Sequence, residues 1–177
     1  MERINIHLIA PPADLDTAIP AFHSWIQKSL TEELLIDVVD YRHVPGGPGV
    51  VLIGHEADYS LNQSGLTYSR KARGAGSAAE KIAAAYSRAA EAGKRLGLTW
   101  SEFEVIVNDR LGTPNTEENW QALKQAITAA LGENQEIKRQ GEHRSRLTAR
   151  VRLCGASFRS RSWPQPPARV TLNPGTP

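Results

Sequence analysis

The sequence predicts an α+β fold, in which helices pack on a mostly antiparallel sheet. Several segments alternate apolar and polar residues with the period of a half-buried strand, and three others repeat apolar residues at the helical steps of three and four. Short connections join successive strand segments, which favours antiparallel pairing. The resulting element order is βαβββαβα, followed by one or two further strands.

The first strand and the first helix lie within residues 4–30. Ile4, Ile6 and Leu8 alternate with polar residues, which predicts a strand, and two consecutive prolines end it. Apolar residues then recur at helical spacing over about residues 16–30, which predicts an amphipathic helix.

Residues 34–70 predict a three-stranded antiparallel meander. Its strands cover residues 34–41, 50–53 and 66–69, and turn-forming glycines and prolines follow the first of them. Because residues 50–53 are continuously apolar, we expect this strand to lie at the centre of the sheet.

Two further helices begin at sequence patterns that resemble capping boxes. Ser77 with Glu80 predicts the start of a helix that runs to about Leu96, and Asn115 with Glu118 predicts the start of another that runs to Leu131. The alternation over residues 103–107 predicts a strand between them, and residues 136–138 and 147–153 predict edge strands after them.

Length and composition favour one globular domain over residues 1–154 of the 177. Residues 155–177 are rich in Arg, Ser and Pro, and we expect them to form an irregular or disordered basic tail. The sequence has no run of ~18 apolar residues that would span a bilayer and no basic leader, so we expect a cytoplasmic protein without a membrane span. The lone Cys154 fits a reducing compartment.

Charge is distributed unevenly along the chain. Residues 138–169 contain nine basic side chains and a single acid, Glu142, whereas the residues before 138 contain 12 basic and 18 acidic side chains. The basic end could bind nucleic acid by neutralising phosphates, with Phe158 or Trp163 stacking on bases. It could equally fold over the acidic body of its own chain or contact a partner.

The first candidate site consists of His55, Glu56 and Asp58, which follow an apolar strand. Imidazole and carboxylates are ligands of zinc, manganese and iron and also serve as acids and bases in hydrolysis. In an extended strand, however, Glu56 and Asp58 would share one face while His55 points to the other. The alternative is a polar strand end whose carboxylates pair with nearby arginines.

The second candidate site is an anion site formed by Arg70, Lys71, Arg73, Gly76 and Ser77. Free N–H groups at a helix start, glycines that permit close approach, and basic side chains all favour a phosphate or carboxylate. The order of residues matches no nucleotide-binding motif, so an ordinary solvated basic loop with a capping box is the alternative. Meander geometry places this site about 13 Å from the acidic cluster, at ~3.3 Å per strand residue.

A third possibility is the loop that holds Asp109, Arg110 and Thr113, since functional side chains often follow strand ends. The acids Glu117 and Glu118 in the next helical turn complement the helix dipole and argue against an anion there.

We therefore expect a non-enzymatic module that binds an anionic small molecule or the acidic surface of a partner protein. The alternative is a metal- or acid/base-assisted hydrolase that uses His55, Glu56 and Asp58. The sequence specifies no cofactor and leaves the oligomeric state open.

Overall fold

The structure, a computed structural model, describes residues 1–71, 75–142 and 144–154. Arg73, which belongs to the predicted anion site, and the predicted basic tail of residues 155–177 lie outside the described residues.

Strands and helices follow one another along the described chain in the order βαββββαβαββ. They are β1 (Ile4–Ile9), α1 (Leu15–Gln27), β2 (Leu35–Asp40), β3 (Val50–Gly54), β4 (Ala57–Asn62), β5 (Gly65–Arg70), α2 (Ala78–Arg95), β6 (Glu102–Val107), α3 (Glu117–Leu131), β7 (Gln135–Gln140) and β8 (Thr148–Leu153). None of the helices in this part of the chain is long and apolar enough to cross a bilayer.

All the strands named above join one antiparallel sheet in the order β2-β3-β4-β5-β1-β6-β8-β7, which confirms the predicted α+β class. Three details of the prediction are wrong. Strand β8, which was predicted to be an edge strand, lies between β6 and β7. The apolar strand β3 is not central, because it lies next to the edge strand β2 while β5 and β1 occupy the middle. The predicted meander also lacked β4, so residues 34–70 form four strands rather than three.

The missing strand β4 has a weak hydrophobic signal. Its sequence, ADYSLN, alternates buried and half-buried residues, but only Tyr59 and Leu61 are large and apolar on the buried side. A tight turn at His55 and Glu56 joins it to β3, and Val50 pairs with Leu61 across the hairpin. The chain therefore reverses direction once more than the sequence predicted.

The core lies between one face of the sheet and the three helices. Alternate strand residues point to this face and form a single buried cluster with the inner sides of the helices. Helix α1 covers β2, β3 and β4, while α2 covers β1 and β5 and packs against α3. The inner face of α2 is buried along its length by a row of residues: Ile82, Tyr86, Ala89, Ala90 and Gly93.

The starts of α2 and α3 differ in how well the sequence predicted them. At α2 the capping box is complete, because Ser77 and Glu80 each bond the backbone N–H of the other. At α3 the N-cap is Thr116, which accepts a hydrogen bond from the N–H of Asn119, and not Asn115 as predicted. Asn115 is instead buried, with 1% of its surface exposed.

Candidate functional site

Asp58 and Lys71 meet on the face of the sheet opposite the helices. The Nζ of Lys71 lies 2.6 Å from a carboxylate oxygen of Asp58 and donates a 2.9 Å hydrogen bond to the carbonyl of Gly54. The predicted separation of about 13 Å between the acidic and basic clusters is therefore wrong. Strand β4 pairs Ala57 with Arg70, which brings the two clusters to the same end of the sheet.

The structure does not assemble His55, Glu56 and Asp58 into a metal site. His55 is exposed in the β3–β4 turn, whereas Asp58 lies on β4 against Lys71. Within residues 1–71, 75–142 and 144–154, no group of three His, Cys, Asp or Glu side chains is arranged to hold a metal ion. The arrangement agrees better with a strand end whose carboxylate is paired with a basic side chain.

Two of the groups that would bind an anion before α2, the side chain of Lys71 and the N–H of Ser77, already contact carboxylates. Glu80 accepts hydrogen bonds of 2.7 Å from the N–H and 2.9 Å from the hydroxyl of Ser77. These bonds hold the pKa of Glu80 below its ordinary value. A side chain at Gly76 would lie 2.7 Å from the same carboxylate. Anion binding at Arg70–Ser77 stays a prediction, and an incoming anion would have to displace Glu80.

The loop with Asp109, Arg110 and Thr113 makes bonds that hold its own fold. Asp109 accepts a hydrogen bond from the N–H of Gly112, and Arg110 donates one to the carbonyl of Arg144. The buried Asn115, two residues after Thr113, is held by Arg139, which donates 2.9 Å and 2.8 Å hydrogen bonds to its side chain and its carbonyl. These contacts tie the loop to the β7–β8 hairpin.

A buried carboxylate between the helices and the sheet was not predicted from the sequence. Glu33 is 8% exposed and accepts a 2.8 Å hydrogen bond from each of the hydroxyls of Tyr59 and Tyr68. Burial, reinforced by the Glu33 charge, raises the pKa of both tyrosines far above the ordinary value, so both remain donors. Each oxygen of the Glu33 carboxylate accepts a hydrogen bond from one tyrosine hydroxyl, which fits a role in holding α1 and β2 to β4 and β5.

A cleft of about 740 Å³ opens at the other end of the sheet. Three segments form it: the start of α1 at residues 13–16, the loop of residues 41–49, and the β4–β5 turn at residues 62–64. Its volume lies within the range of roughly 300–1,000 Å³ that is usual for ligand sites. We use the name cleft for this site below.

Arg42 spans the cleft between its loop and helix α1. Its Nε and one terminal nitrogen form a fork on the carboxylate of Asp40, at 2.7–3.0 Å, and its other terminal nitrogen contacts Asp16. The hydrogen bonds from Arg42 lower the pKa of Asp40 to about 2. Asp16 is 83% exposed at its side chain, so solvent reaches the contact that joins α1 to the loop.

The walls of the cleft combine exposed apolar surface with negative charge. Tyr41 and Val44 are 39% and 41% exposed, which places them among the few large apolar residues of the described chain that remain open to solvent. The carboxylates of Asp14 and Asp16 lie on the α1 wall, and Asp40 stands behind Arg42. Two of these carboxylates contact the guanidinium of Arg42, and Asp14 adds a third acid, so the charge of the walls favours a ligand with positive charge.

The turn at the floor of the cleft contacts a histidine on β1. The Nε2 of His7 lies 3.3 Å from the hydroxyl of Ser64, and its Nδ1 lies 2.9 Å from that of Thr67. The Ser64 hydroxyl donates a shorter, 2.7 Å bond to Asn62, so it accepts from the ring rather than giving it a proton. These hydrogen bonds fix the β4–β5 turn, whereas Ser64 as a nucleophile would have to donate its proton to His7 as the base.

The sequence contained part of the signal for the cleft. Residues 45–49, Pro-Gly-Gly-Pro-Gly, indicated only a turn, and nothing in the sequence linked this turn with the acids near the start of α1. The pairing of β2 with β3 forms the loop of residues 41–49, and the pairing of β4 with β5 forms the turn of residues 62–64. The second pairing involves β4, the strand missing from the predicted meander.

No protein-family model matches the chain, and no curated protein matches it. The arrangement of its own residues is thus what supports a function.

Proposed function

We propose that this chain is a non-enzymatic binding module and that its ligand or partner occupies the cleft. The observation that carries the proposal is a 740 Å³ opening whose walls expose Tyr41 and Val44 beside the acids of α1. Apolar walls with a few polar groups that fix orientation are typical of ligand sites.

The charge of the cleft favours a cationic group on an apolar body. A guanidinium or ammonium would contact Asp14 and Asp16, while an aromatic or aliphatic group would pack on Tyr41 and Val44. Because Asp16 is largely exposed, its contact with Arg42 can be exchanged for an incoming basic group at small cost. This proposal differs from the predicted anion site at Arg70–Ser77, whose helix start already contacts Glu80.

The test is a titration of the ¹⁵N-labelled chain, followed by the backbone amide signals. The probes are an acetylated Arg-Trp-Arg amide and its charge-reversed counterpart, Glu-Trp-Glu. We expect saturable shifts at Asp16, Gly46, Gly49 and Ser64 with the basic peptide only. The absence of saturable shifts at these amides with either peptide would contradict the proposal, and shifts at Ser77 with the acidic peptide would instead support the predicted anion site.

A matched pair of variants tests whether the acids on the α1 wall of the cleft bind the basic peptide. Asp16→Lys should weaken the basic peptide's binding by about tenfold or more, because it replaces an attraction with a repulsion. Glu118→Lys is the control, since Asp16 and Glu118 each occupy the second position of their helix and the cost to the helix dipole is matched. Equal weakening in both variants would assign the effect to net charge rather than to the cleft.

A further inference from the structure

We propose that the cleft is the docking site for the basic segment of the same chain, residues 155–177. The proposal rests on the proposed function, because it takes the cleft to be a binding site and names its occupant. Three properties support it: charge, apolar content and reach.

The charges of the segment and the cleft are complementary. Residues 155–177 contain Arg159, Arg161 and Arg169 and no acid. The cleft contributes the exposed carboxylate of Asp16 together with that of Asp14. An arginine at this wall would form a charge-assisted hydrogen bond with a carboxylate.

The apolar residues of the segment lie close to its arginines. Phe158 precedes Arg159, and Trp163 follows Arg161 by two residues. The exposed rings and methyl groups of Tyr41 and Val44 offer a surface on which one aromatic side chain can pack. The segment therefore offers both the basic and the aromatic side chains that the walls of the cleft would bind.

The segment begins at the end of the sheet where the cleft opens. Strand β8 ends at Leu153, one residue beyond Arg152, which pairs with Glu102. Glu102 pairs with Ile9, and Ile9 pairs with Gly65 beside the turn that forms the cleft floor.

The distance is within reach of the chain. The far wall of the cleft, with Tyr41 and Val44, adjoins β3, which lies five strand spacings from β8, about 24 Å at ~4.8 Å each. Residues 154–163 can extend to roughly 30 Å at ~3.3 Å per residue, so Trp163 can reach the cleft without any change in the sheet.

The test uses the full chain with one spin label. Cys154 is the only cysteine, so Cys154→Ser with Ser162→Cys places a single label beside Trp163. We expect the amide signals of Gly46 and Gly49 to lose most of their intensity to paramagnetic relaxation. Asp16→Lys should restore that intensity, whereas the matched Glu118→Lys should not.

A competition measurement gives an independent readout. Replacing Arg159 and Arg161 with Glu in the full chain should tighten binding of the Arg-Trp-Arg peptide severalfold, because the competing occupant is weakened. Replacing Arg144 and Arg146 with Glu is the control for net charge, since both are exposed on the described chain. Tightening in the first variant alone supports the proposal.

The outcomes separate this inference from the proposed function. Unchanged intensity at Gly46 and Gly49, with the basic peptide still shifting the cleft amides, would overturn the docking of residues 155–177 and leave the cleft as a binding site. Intensity loss spread evenly over the surface and insensitive to Asp16→Lys would overturn it too. No peptide binding in any variant, together with unchanged intensity, would overturn both.

Discussion

The carboxylate of Glu33 accepts a 2.8 Å hydrogen bond from the hydroxyl of Tyr59, and both groups are buried. Tyr68 donates a second bond of the same length to the other oxygen of the carboxylate. Since Glu33 lies between α1 and β2, these bonds fasten that connection to strands β4 and β5.

Glu33→Ala should lower the free energy of unfolding by about 2–4 kcal/mol, because two buried hydroxyls would lose their acceptor. Urea denaturation followed by circular dichroism measures the change. The control is Glu32→Ala, whose exposed carboxylate pairs with Arg88 and should cost at most about 1 kcal/mol. Equal losses in both variants would show that Glu33 does not hold the tyrosines.

The contact between Lys71 and Asp58 tests the register of β4 and β5. Lys71→Met should lower the free energy of unfolding by less than about 1 kcal/mol, because both side chains are partly exposed. The loss should be smaller at high salt, since salt screens the charges. A double-mutant cycle with Asp58→Asn measures the coupling by urea denaturation at low and high salt. Strict additivity at low salt would contradict the contact.

The local elements were predictable where one physical signal dominates. The spacing of apolar residues located the three helices, and Ser77 with Glu80 located the start of α2 because both partners of the capping box are present. At α3 the same pattern misled, since Asn115 is buried by Arg139 and the neighbouring Thr116 takes the cap. Tertiary contacts decided between two adjacent capping residues.

Long-range pairing accounts for what the sequence did not predict. Strand β4, ADYSLN, does alternate apolar and polar residues, but only Tyr59 and Leu61 are large and apolar, and the strand follows β3 after only two residues. Without β4, the acidic and basic clusters fell at opposite ends of the sheet. The cleft depends on the same pairing, so its residues, including Arg42, could not be grouped from their spacing alone.

The stability of the fold should depend on pH through His7. Burial lowers the pKa of His7 below its ordinary value of 6.5, Arg150 acts in the same direction, and Glu104 opposes them. As pH falls through 6.5, the unfolded chain takes up this proton before the folded chain does. The free energy of unfolding should therefore fall below that pH until the folded His7 is also protonated.

The measurement for His7 is urea denaturation between pH 7.5 and pH 5.5, compared with His7→Gln. In His7→Gln, the free energy of unfolding should change less with pH than in the unmodified chain. Glu104→Gln should enlarge the total loss on acidification, because it removes the charge that raises the pKa of His7. An unchanged slope in His7→Gln would assign the pH dependence to other groups.

Gly65, which follows the β4–β5 turn, should tolerate no side chain. Its φ is +131°, and a Cβ there would lie 1.9 Å from the carbonyl oxygen of Leu8 on β1. Gly65→Ala should lower the free energy of unfolding by roughly 2–4 kcal/mol, since backbone strain adds to a displaced central strand.

Gly97→Ala is the control, because Gly97 also has a positive φ, +69°, but no atom lies within 4 Å of the added Cβ. Strain alone should cost it about 1 kcal/mol. Since β1 and the cleft floor meet at Gly65, only Gly65→Ala should also shift the amide signals of Ser64 and Ala10. Equal losses in the two variants would mean that β1 does not approach the turn as closely as this pairing requires.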